Sequence, residues 1–455
     1  MPILAASQQA PPAAMARQIL AQLVGINTVH DHGITAAARA MQQRLLAAGF
    51  APADAQLLGG NPSQMNLVAR LHGTGAKPPI LLLAHLDVVQ ARRQDWTTDP
   101  FQLVTKDGFF WGRGTQDVKD GDAIYVANLI RLKQEGFRPD RDIVLALTAD
   151  EEDGPDNGVQ WLLAHHPEVM KAAFVLNADG GGVDAIQGKP RFLGVDASQK
   201  VYADFQLSTT NPGGHSSIPV PDNAIYHVAA ALMRVQRFEF PIELNAVTRG
   251  YFAARSRLDA AAGAAAQAAD ESAMTPAALA RLARDPKFNA LLRTTCVATR
   301  LSAGDANNAL PQNAEALVNC RILPGHAAAD VQRQLAAVVA DPKIRIQFMA
   351  EDTSLHDVAP QLVSNPPLKL DPEVLGPLTE VAQAMWNIPV VPTMATGATD
   401  SKYTMAAGMP SYDVIGVAVD EGGDRAHGRD ENLRIASFDQ GTEFCYRLLK
   451  RLTTP

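Results

Sequence analysis

Five short runs of this chain concentrate residues that bind metal ions or move protons. His85-Leu86-Asp87 follows a continuously apolar run at 80–84. A histidine can give one ring nitrogen to a metal. An aspartate two residues on points to the same side of an extended segment and fixes the ring's tautomer or orientation. Gly112-Arg113-Gly114-Thr115-Gln116-Asp117-Val118-Lys119 places an aspartate behind two glycines that permit a tight turn, and a carboxylate there can bridge two cations. The run lacks the Gly-Lys-Ser/Thr ending and the glycine spacing of a phosphate loop. Asp150-Glu151-Glu152-Asp153 follows the apolar run 143–148. Negative charge beside a buried strand is costly unless cations neutralise it. One carboxylate can then bind metal while its neighbour takes a proton from water. Asn177-Ala178-Asp179-Gly180-Gly181-Gly182 and Ala426-His427-Gly428-Arg429-Asp430-Glu431-Asn432 complete the set. Taken singly, most of these runs are ordinary loops or turns.

The elements that must position them are legible from periodicity. Helical spacing occurs at 13–24, 34–48, 122–134 and 158–166, and short strand-like runs at 66–71, 80–84, 143–148 and 173–176. Asp107-Gly108 reads as a hairpin turn. Strands alternating with helices predict a three-layer α/β/α domain with a mixed sheet, and its strand ends are where ligands are presented to a crevice. Near residue 200 the pattern changes. Strands at 201–208, 295–301, 314–322 and 343–349, with helices at 223–236 and 327–340, give the split βαβ order of a ferredoxin-like α+β domain. Residues 240–294 form a helical insertion in it, Ala-rich and exposed over 253–285. The α/β pattern resumes with helices near 372–386 and 436–451 and a strand at 412–417. The predicted domains are therefore 1–200 with 363–455, carrying the chemistry, and an interrupting lid at 201–362.

That lid has candidates of its own. Gly213-Gly214-His215-Ser216-Ser217 puts a histidine on a flexible loop. Asn308-Ala309-Leu310-Pro311 and Arg321-Ile322-Leu323-Pro324-Gly325 lie between later strands. Asn and Arg are donor-rich and suit a substrate carboxylate or a developing oxyanion.

Composition narrows the classes. With 455 residues, 47% hydrophobic and 19% charged, the chain is long enough for two globular units and has no apolar run approaching a membrane span. A net charge of −8 without a Lys/Arg block leaves no footprint for nucleic acid. Three widely spaced cysteines, Cys296, Cys320 and Cys445, predict neither a disulfide framework nor a thiolate metal site. Residues 1–14 are apolar and Ala/Pro-rich, without the basic start of an export signal, although 3–7 could be the tail of a trimmed one. A soluble protein is expected, cytoplasmic or, after such trimming, periplasmic or secreted.

In this order, H-x-D, G-R-G-x-x-D-x-K, D-E-E, D-G-G, G-G-H-S-S, N-x-L-P, R-x-x-P-G, G-x-T-D and a late H-G resemble the zinc aminoacylase/carboxypeptidase superfamily. That group includes aminoacylase-1, glutamate carboxypeptidase, dipeptidases and succinyl-diaminopimelate desuccinylase. Residues 291–295, 308–311 and 318–325 look most like its carboxypeptidase S branch, which includes N-acyl-amino-acid hydrolases. The resemblance implies two zinc ions, with cobalt or manganese as substitutes. Asp117 would bridge them, His85 and Asp179 would complete one site, and Glu152 and His427 the other. It implies Glu151 as general base and Asp87 behind His85. His215 would stabilise the oxyanion, and Asn308, Arg321 and the loop from Gly397 to Asp400 would hold a free carboxylate. By analogy the Asp117–Val118 peptide is cis. The substrates implied are small peptides or N-acyl amino acids, with a homodimer formed through the lid. An amidohydrolase acting on a non-peptide C–N bond is the alternative, and a non-catalytic metal- or peptide-binding protein a further one. Asp179, Asp120 and Ala398 depart from commoner choices in the group and bear on substrate selection.

Overall fold

The computed structural model describes residues 12–258, 275–420 and 422–454. Most of the apolar start read for an export signal, and residues 259–274 of the Ala-rich stretch, lie outside the described residues. The chain divides into two compact units. One comprises Met1–Ala197, Lys369–Thr393 and Thr399–Pro455; the other comprises Ser198–Leu368 and Met394–Ala398. Among the described residues, no helix is long and apolar enough to cross a membrane.

The first unit is built on a ten-stranded mixed sheet. Its centre runs Asn66–Leu71, Ile143–Thr148, Ile80–His85, Phe174–Asn177, Ser411–Asp413. Ile80–His85 is parallel to both of its neighbours, and Phe174–Asn177 is parallel to Ser411–Asp413. Strands covered on both faces should be apolar without alternation, and Ile80–His85 and Ile143–Thr148 are buried at every residue. Leu81, Leu83, Val144, Ala146 and Val175 pack under the helix Gly158–His165 with Val159 and Leu162. Ile80, Leu82 and Ala84 point the other way, toward the layer containing Lys119–Gln134, which packs on this strand and on the helices Pro12–Val24 and Ile435–Leu452. Three layers result, as expected.

Parallel register is what matters for chemistry. His85 stands opposite Thr148, and Leu83 opposite Asn177. Three strands therefore end at one level, and the residues after them share one edge. The hairpin at Asp107-Gly108 forms as read, both residues having positive φ. Several strands, among them Ala55–Leu58, Gly182–Ile186, Lys189–Gln199 and Val390–Ala395, have no counterpart in the sequence reading, and the strand read at 412–417 is only Ser411–Asp413.

The second unit holds a five-stranded antiparallel sheet ordered Thr295–Ala303, Asn313–Ile322, Val201–Thr210, Arg345–Met349, Leu355–His356. Val201, Ala203, Phe205 and Leu207 alternate inward and meet Val228, Ala231, Val331 and Leu335 from the helices Ala224–Arg237 and Ala328–Val339. This is the ferredoxin-like order. The inserted stretch contributes helices Ala246–Leu258, Pro276–Leu282 and Pro286–Leu292. Met394–Ala398, including Gly397, groups with this unit.

One expectation is corrected. Cys296 and Cys320 form a disulfide between adjacent strands, where they stand directly opposite each other. Spacing of 24 residues gave no sign of it, because strand pairing rather than sequence proximity brings the two together. Closing a loop of this length stabilises a fold by about 3 kcal/mol. Cys296→Ser is expected to lower unfolding free energy by about that much. Reductant should reproduce the loss in the parent chain and leave the variant unchanged in urea titration.

Candidate metal centre

The three strand ends each deliver a donor. His85 is the last residue of its strand and is buried. Its Nε2 lies 3.1 Å from Asp117 Oδ1 and 3.8 Å from Asp179 Oδ2. Its Nδ1 lies 3.0 Å from the Asp87 carbonyl oxygen and 3.6 Å from the Asp87 carboxylate. The Asp87 carboxylate also accepts from the backbone N–H groups of Glu151, at 3.2 Å, and Glu152, at 2.9 Å. Asp87 thus faces His85 with both its carbonyl and its carboxylate, and the same carboxylate fixes the acidic loop.

That loop bends because Asp150 adopts a left-handed backbone, which Asp tolerates better than most residues. Its buried side chain is held by His30 Nδ1 at 3.2 Å and by the Asp156 N–H. Asp179 follows Phe174–Asn177, and its N–H donates to Asn177 Oδ1 at 3.2 Å. The glycines after it answer a steric demand: a Cβ on Gly181, whose φ is +63°, would sit 2.3 Å from the Asp413 carbonyl.

Asp117 and His427 come from loops. The Asp117–Val118 peptide is cis, as expected by analogy. Just beyond it, the buried Lys119 donates to the carbonyls of Leu23 and Ile26, each at 2.9 Å, so this lysine anchors the turn. His427 Nε2 lies 3.0 Å from Asp117 Oδ2 and 2.8 Å from Glu152 Oε2. Two trios of potential metal donors result, His85–Asp117–Asp179 and Asp117–Glu152–His427, with Asp117 common to both. Glu151 belongs to neither trio.

The electrostatics explain what the set would hold. Four carboxylates, on Asp117, Glu151, Glu152 and Asp179, meet two imidazoles. Burial, and then neighbouring carboxylates against the opposing His85, pushes Glu151 well above the ordinary carboxylate range. Burial and the Glu151 charge do the same to Asp179. Hydrogen bonds to Asp117 and Glu152 push His427 up to about 10. Burial opposes ionisation of Asp117, but its hydrogen bonds to both histidines outweigh it and hold the group below its usual value. Such a site accumulates more negative charge than its side chains neutralise. With oxygen and nitrogen donors and no sulfur, it fits divalent cations.

Sequence reasoning missed the residue that joins the two loops. Glu431 is fully buried and accepts from Arg113 Nη1 at 2.5 Å, Gly114 N at 3.1 Å, Gln116 N at 2.6 Å and Asp117 N at 3.3 Å. Arg113 also donates to the carbonyls of His427, at 3.4 Å, and Gly428, at 3.1 Å. His427 has a left-handed backbone, φ +62°, which persists in a non-glycine residue only where surroundings impose it. The signal available was an arginine inside the Gly-x-Gly and an acid four residues after the histidine.

The remaining candidates divide. Asp400 turns inward: its carboxylate accepts from Asn157 Nδ2 at 2.7 Å and Thr148 Oγ1 at 3.3 Å, and burial pushes it up to about 6. In the second unit, His215 and Asn308 share a two-stranded ribbon, with His215 paired to Ala309 and Ser216 N donating to Asn308 O at 3.1 Å. His215 Nδ1 pairs with Ser217 Oγ at 2.7 Å. Arg321 and Gly397 also meet there: a Cβ on Gly397 would lie 3.9 Å from Arg321 Nη1.

Truncating one partner of a buried ion pair costs about 3–5 kcal/mol, because the other charge is left unpaired. Glu431→Gln is expected to destabilise the chain by about that amount and to reduce bound divalent metal. Denaturant titration and elemental analysis check both; a wild-type midpoint with full metal would show that the pair does not hold the centre.

Residues 81–451 match the family model described as peptidase family M20/M25/M40. A probable carboxypeptidase S-like 2 of Dictyostelium discoideum is 28% identical over 383 residues, covering 82% of this chain and 71% of the relative. The human N-fatty-acyl-amino acid synthase/hydrolase PM20D1 is 27% identical over 387 residues, covering 83% and 74%. Among solved structures, an M20 family metallo-carboxypeptidase from Sulfolobus solfataricus superposes with a TM-score of 0.71 at 18% identity, covering 96% of this chain and 99% of the other. Human carnosine dipeptidase 1 superposes at 0.69 with 14% identity, covering 97% and 96%. These two share the fold. With the family model spanning most of the chain, this protein belongs to peptidase family M20/M25/M40 and is a metal-dependent hydrolase of amide bonds.

Proposed function

We propose that this chain cleaves an amide bond next to a free carboxylate, as a carboxypeptidase, dipeptidase or N-acyl-amino-acid hydrolase, using two zinc ions. The observation that carries the reading is the pair of donor trios sharing Asp117. His85 and Asp179 would complete one site and Glu152 and His427 the other; cobalt or manganese could replace zinc. The names of the carboxypeptidase S-like and N-fatty-acyl-amino acid relatives support a small peptide or N-acyl amino acid as substrate.

When bound, the two cations polarise the amide carbonyl and acidify water. The chain's own groups then divide the remaining work. Glu151, outside both trios and raised by burial, accepts a proton at its carboxylate and later delivers it to the leaving amine nitrogen. Asp87 holds the loop that carries Glu151, so the base is fixed relative to Glu152. His215 donates to the developing oxyanion. Asn308 and Arg321 bind the free carboxylate, with the bare Gly397 beside Arg321. In the second unit, the exposed Val297 and Leu301 on the edge strand Thr295–Ala303 support a homodimer through this unit.

Replacing a general base typically costs about 10²–10⁴ in rate. Glu151→Gln is expected to lose about that much turnover on N-acyl amino acids or dipeptides while retaining two metal ions by elemental analysis. Unchanged turnover would remove Glu151 as base. His215→Ala should lower kcat by about 10²–10³ with metal content unaltered, and normal turnover there would exclude His215.

A further inference from the structure

The two histidines of the centre are held by different means. His85 ends a buried strand, and the packing around it fixes its ring. The His427 side chain is 55% exposed, and the described residues 422–431 around it form neither helix nor strand. A metal donor on exposed, irregular backbone has little packing to aim it, so hydrogen bonds from neighbouring groups must do so.

The Gln116 side chain meets this loop on both sides of His427. Its Nε2 donates to the Gly423 carbonyl at 3.2 Å and to the Asn432 carbonyl at 2.6 Å, and its Oε1 accepts from the Arg425 N–H at 2.8 Å. The amide nitrogen thus serves two acceptors and the amide oxygen one donor. All three partners are backbone groups, so they fix which way round the amide stands. Gly423 and Arg425 precede His427 and Asn432 follows it, so one side chain closes the base of the loop. Inside it, Gly428 N donates to Arg425 O at 2.9 Å and Ala426 N to Asp424 Oδ1 at 3.1 Å. Beyond His427, Asp430 Oδ1 accepts from the Thr97 N–H at 2.8 Å and the Thr97 hydroxyl at 2.9 Å. Gln116 also directly precedes Asp117, whose Oδ2 lies 3.0 Å from His427 Nε2. The clasp therefore joins the backbone of one donor to the loop of another in the same trio. The other trio's His85 and Asp179 stand at strand ends, away from this loop.

We infer that Gln116 is a positioning residue for the cation held by Asp117, Glu152 and His427. Its side chain sets where His427 stands relative to Asp117, and so tunes the affinity of that site without altering the one completed by His85 and Asp179. This rests on the reading above that the two trios each hold a cation. The two sites then differ in kind: strand register builds one, and a single amide closes the loop that completes the other.

The test is zinc stoichiometry of the full chain by elemental analysis, after dialysis against a series of chelator-buffered free zinc concentrations. His427→Ala identifies which binding step belongs to the trio containing His427. Gln116→Met keeps the length of the side chain and removes its hydrogen bonds. It is expected to weaken that step about 10- to 100-fold while the other step is unchanged, and excess zinc should restore turnover. An unchanged step in Gln116→Met, with the step lost in His427→Ala, overturns the inference and leaves the reading of the centre standing. Equal weakening of both steps makes Gln116 a general support of the fold and also overturns it. If His427→Ala still binds two zinc ions as the parent does, the reading of the centre fails and the inference falls with it. Hydrogen exchange on the unsubstituted, zinc-loaded chain checks the clasp without a variant. The Arg425 amide should be protected, and exchange at the rate of an open loop overturns the inference even where Gln116→Met does not fold.

Discussion

One buried ion pair ties together the parts of the candidate centre that the sheet does not hold. Arg113 and Glu431 are more than three hundred residues apart in sequence and both are buried. Burying two charges is expensive, and such a pair holds only when its remaining hydrogen-bonding capacity is used. Here it is used in a particular way. Glu431 collects the N–H groups of the loop leading to Asp117, and Arg113 collects the carbonyls of the loop bearing His427. The desolvation cost is offset by bonds that specify where two donors stand. Strand register fixes His85, the acidic loop and Asp179; the ion pair supplies what register cannot.

Much of this was legible in the sequence, for identifiable reasons. Parallel strands buried on both faces must be continuously apolar, so Ile80–His85 and Ile143–Thr148 announce themselves, and a polar residue directly after such a run has few places to go except the sheet's edge. The ferredoxin-like order emerged because Val201–Thr210 alternates cleanly between core and surface. The order of the motifs, and its resemblance to a known superfamily, then joined loops that were individually unremarkable. What stayed hidden depends on contacts between distant segments. Lys189–Gln199 contains Lys, Pro, Arg and Gly and is buried continuously over Phe192–Val195, so it shows no strand-like alternation. Cys296 and Cys320 meet only once the strands are paired. Glu431 looked like one more acid in a polar loop until its partners were in place. Asp400 was read with a substrate-binding loop, yet it is satisfied internally by Asn157 and Thr148.

The two adjacent glutamates show how little sequence distance need separate different roles. Glu152 shares its oxygens with His427 and lies within a donor trio; Glu151 does not. Their backbone N–H groups share one acceptor, the Asp87 carboxylate. The geometry that distinguishes them is therefore set by a residue belonging to a different strand end, and the H-x-D motif serves the acidic loop as much as its own histidine.

The order of the donors along the chain has a consequence for how the centre comes into being. His85, Asp117, Glu152 and Asp179 all precede the second unit, whereas His427 and Glu431 follow it. On the ribosome, synthesis at ~5–20 residues per second separates Asp179 from His427 by an interval on the order of ten to fifty seconds. During it, the trio of His85, Asp117 and Asp179 already exists as sequence, while the trio of Asp117, Glu152 and His427 does not, and the Arg113 side chain has no Glu431 to receive it. The two halves of the site thus have different birth times, and until shortly before Ile435–Leu452 is made the chain carries Arg113 without Glu431 and the site's carboxylates without His427.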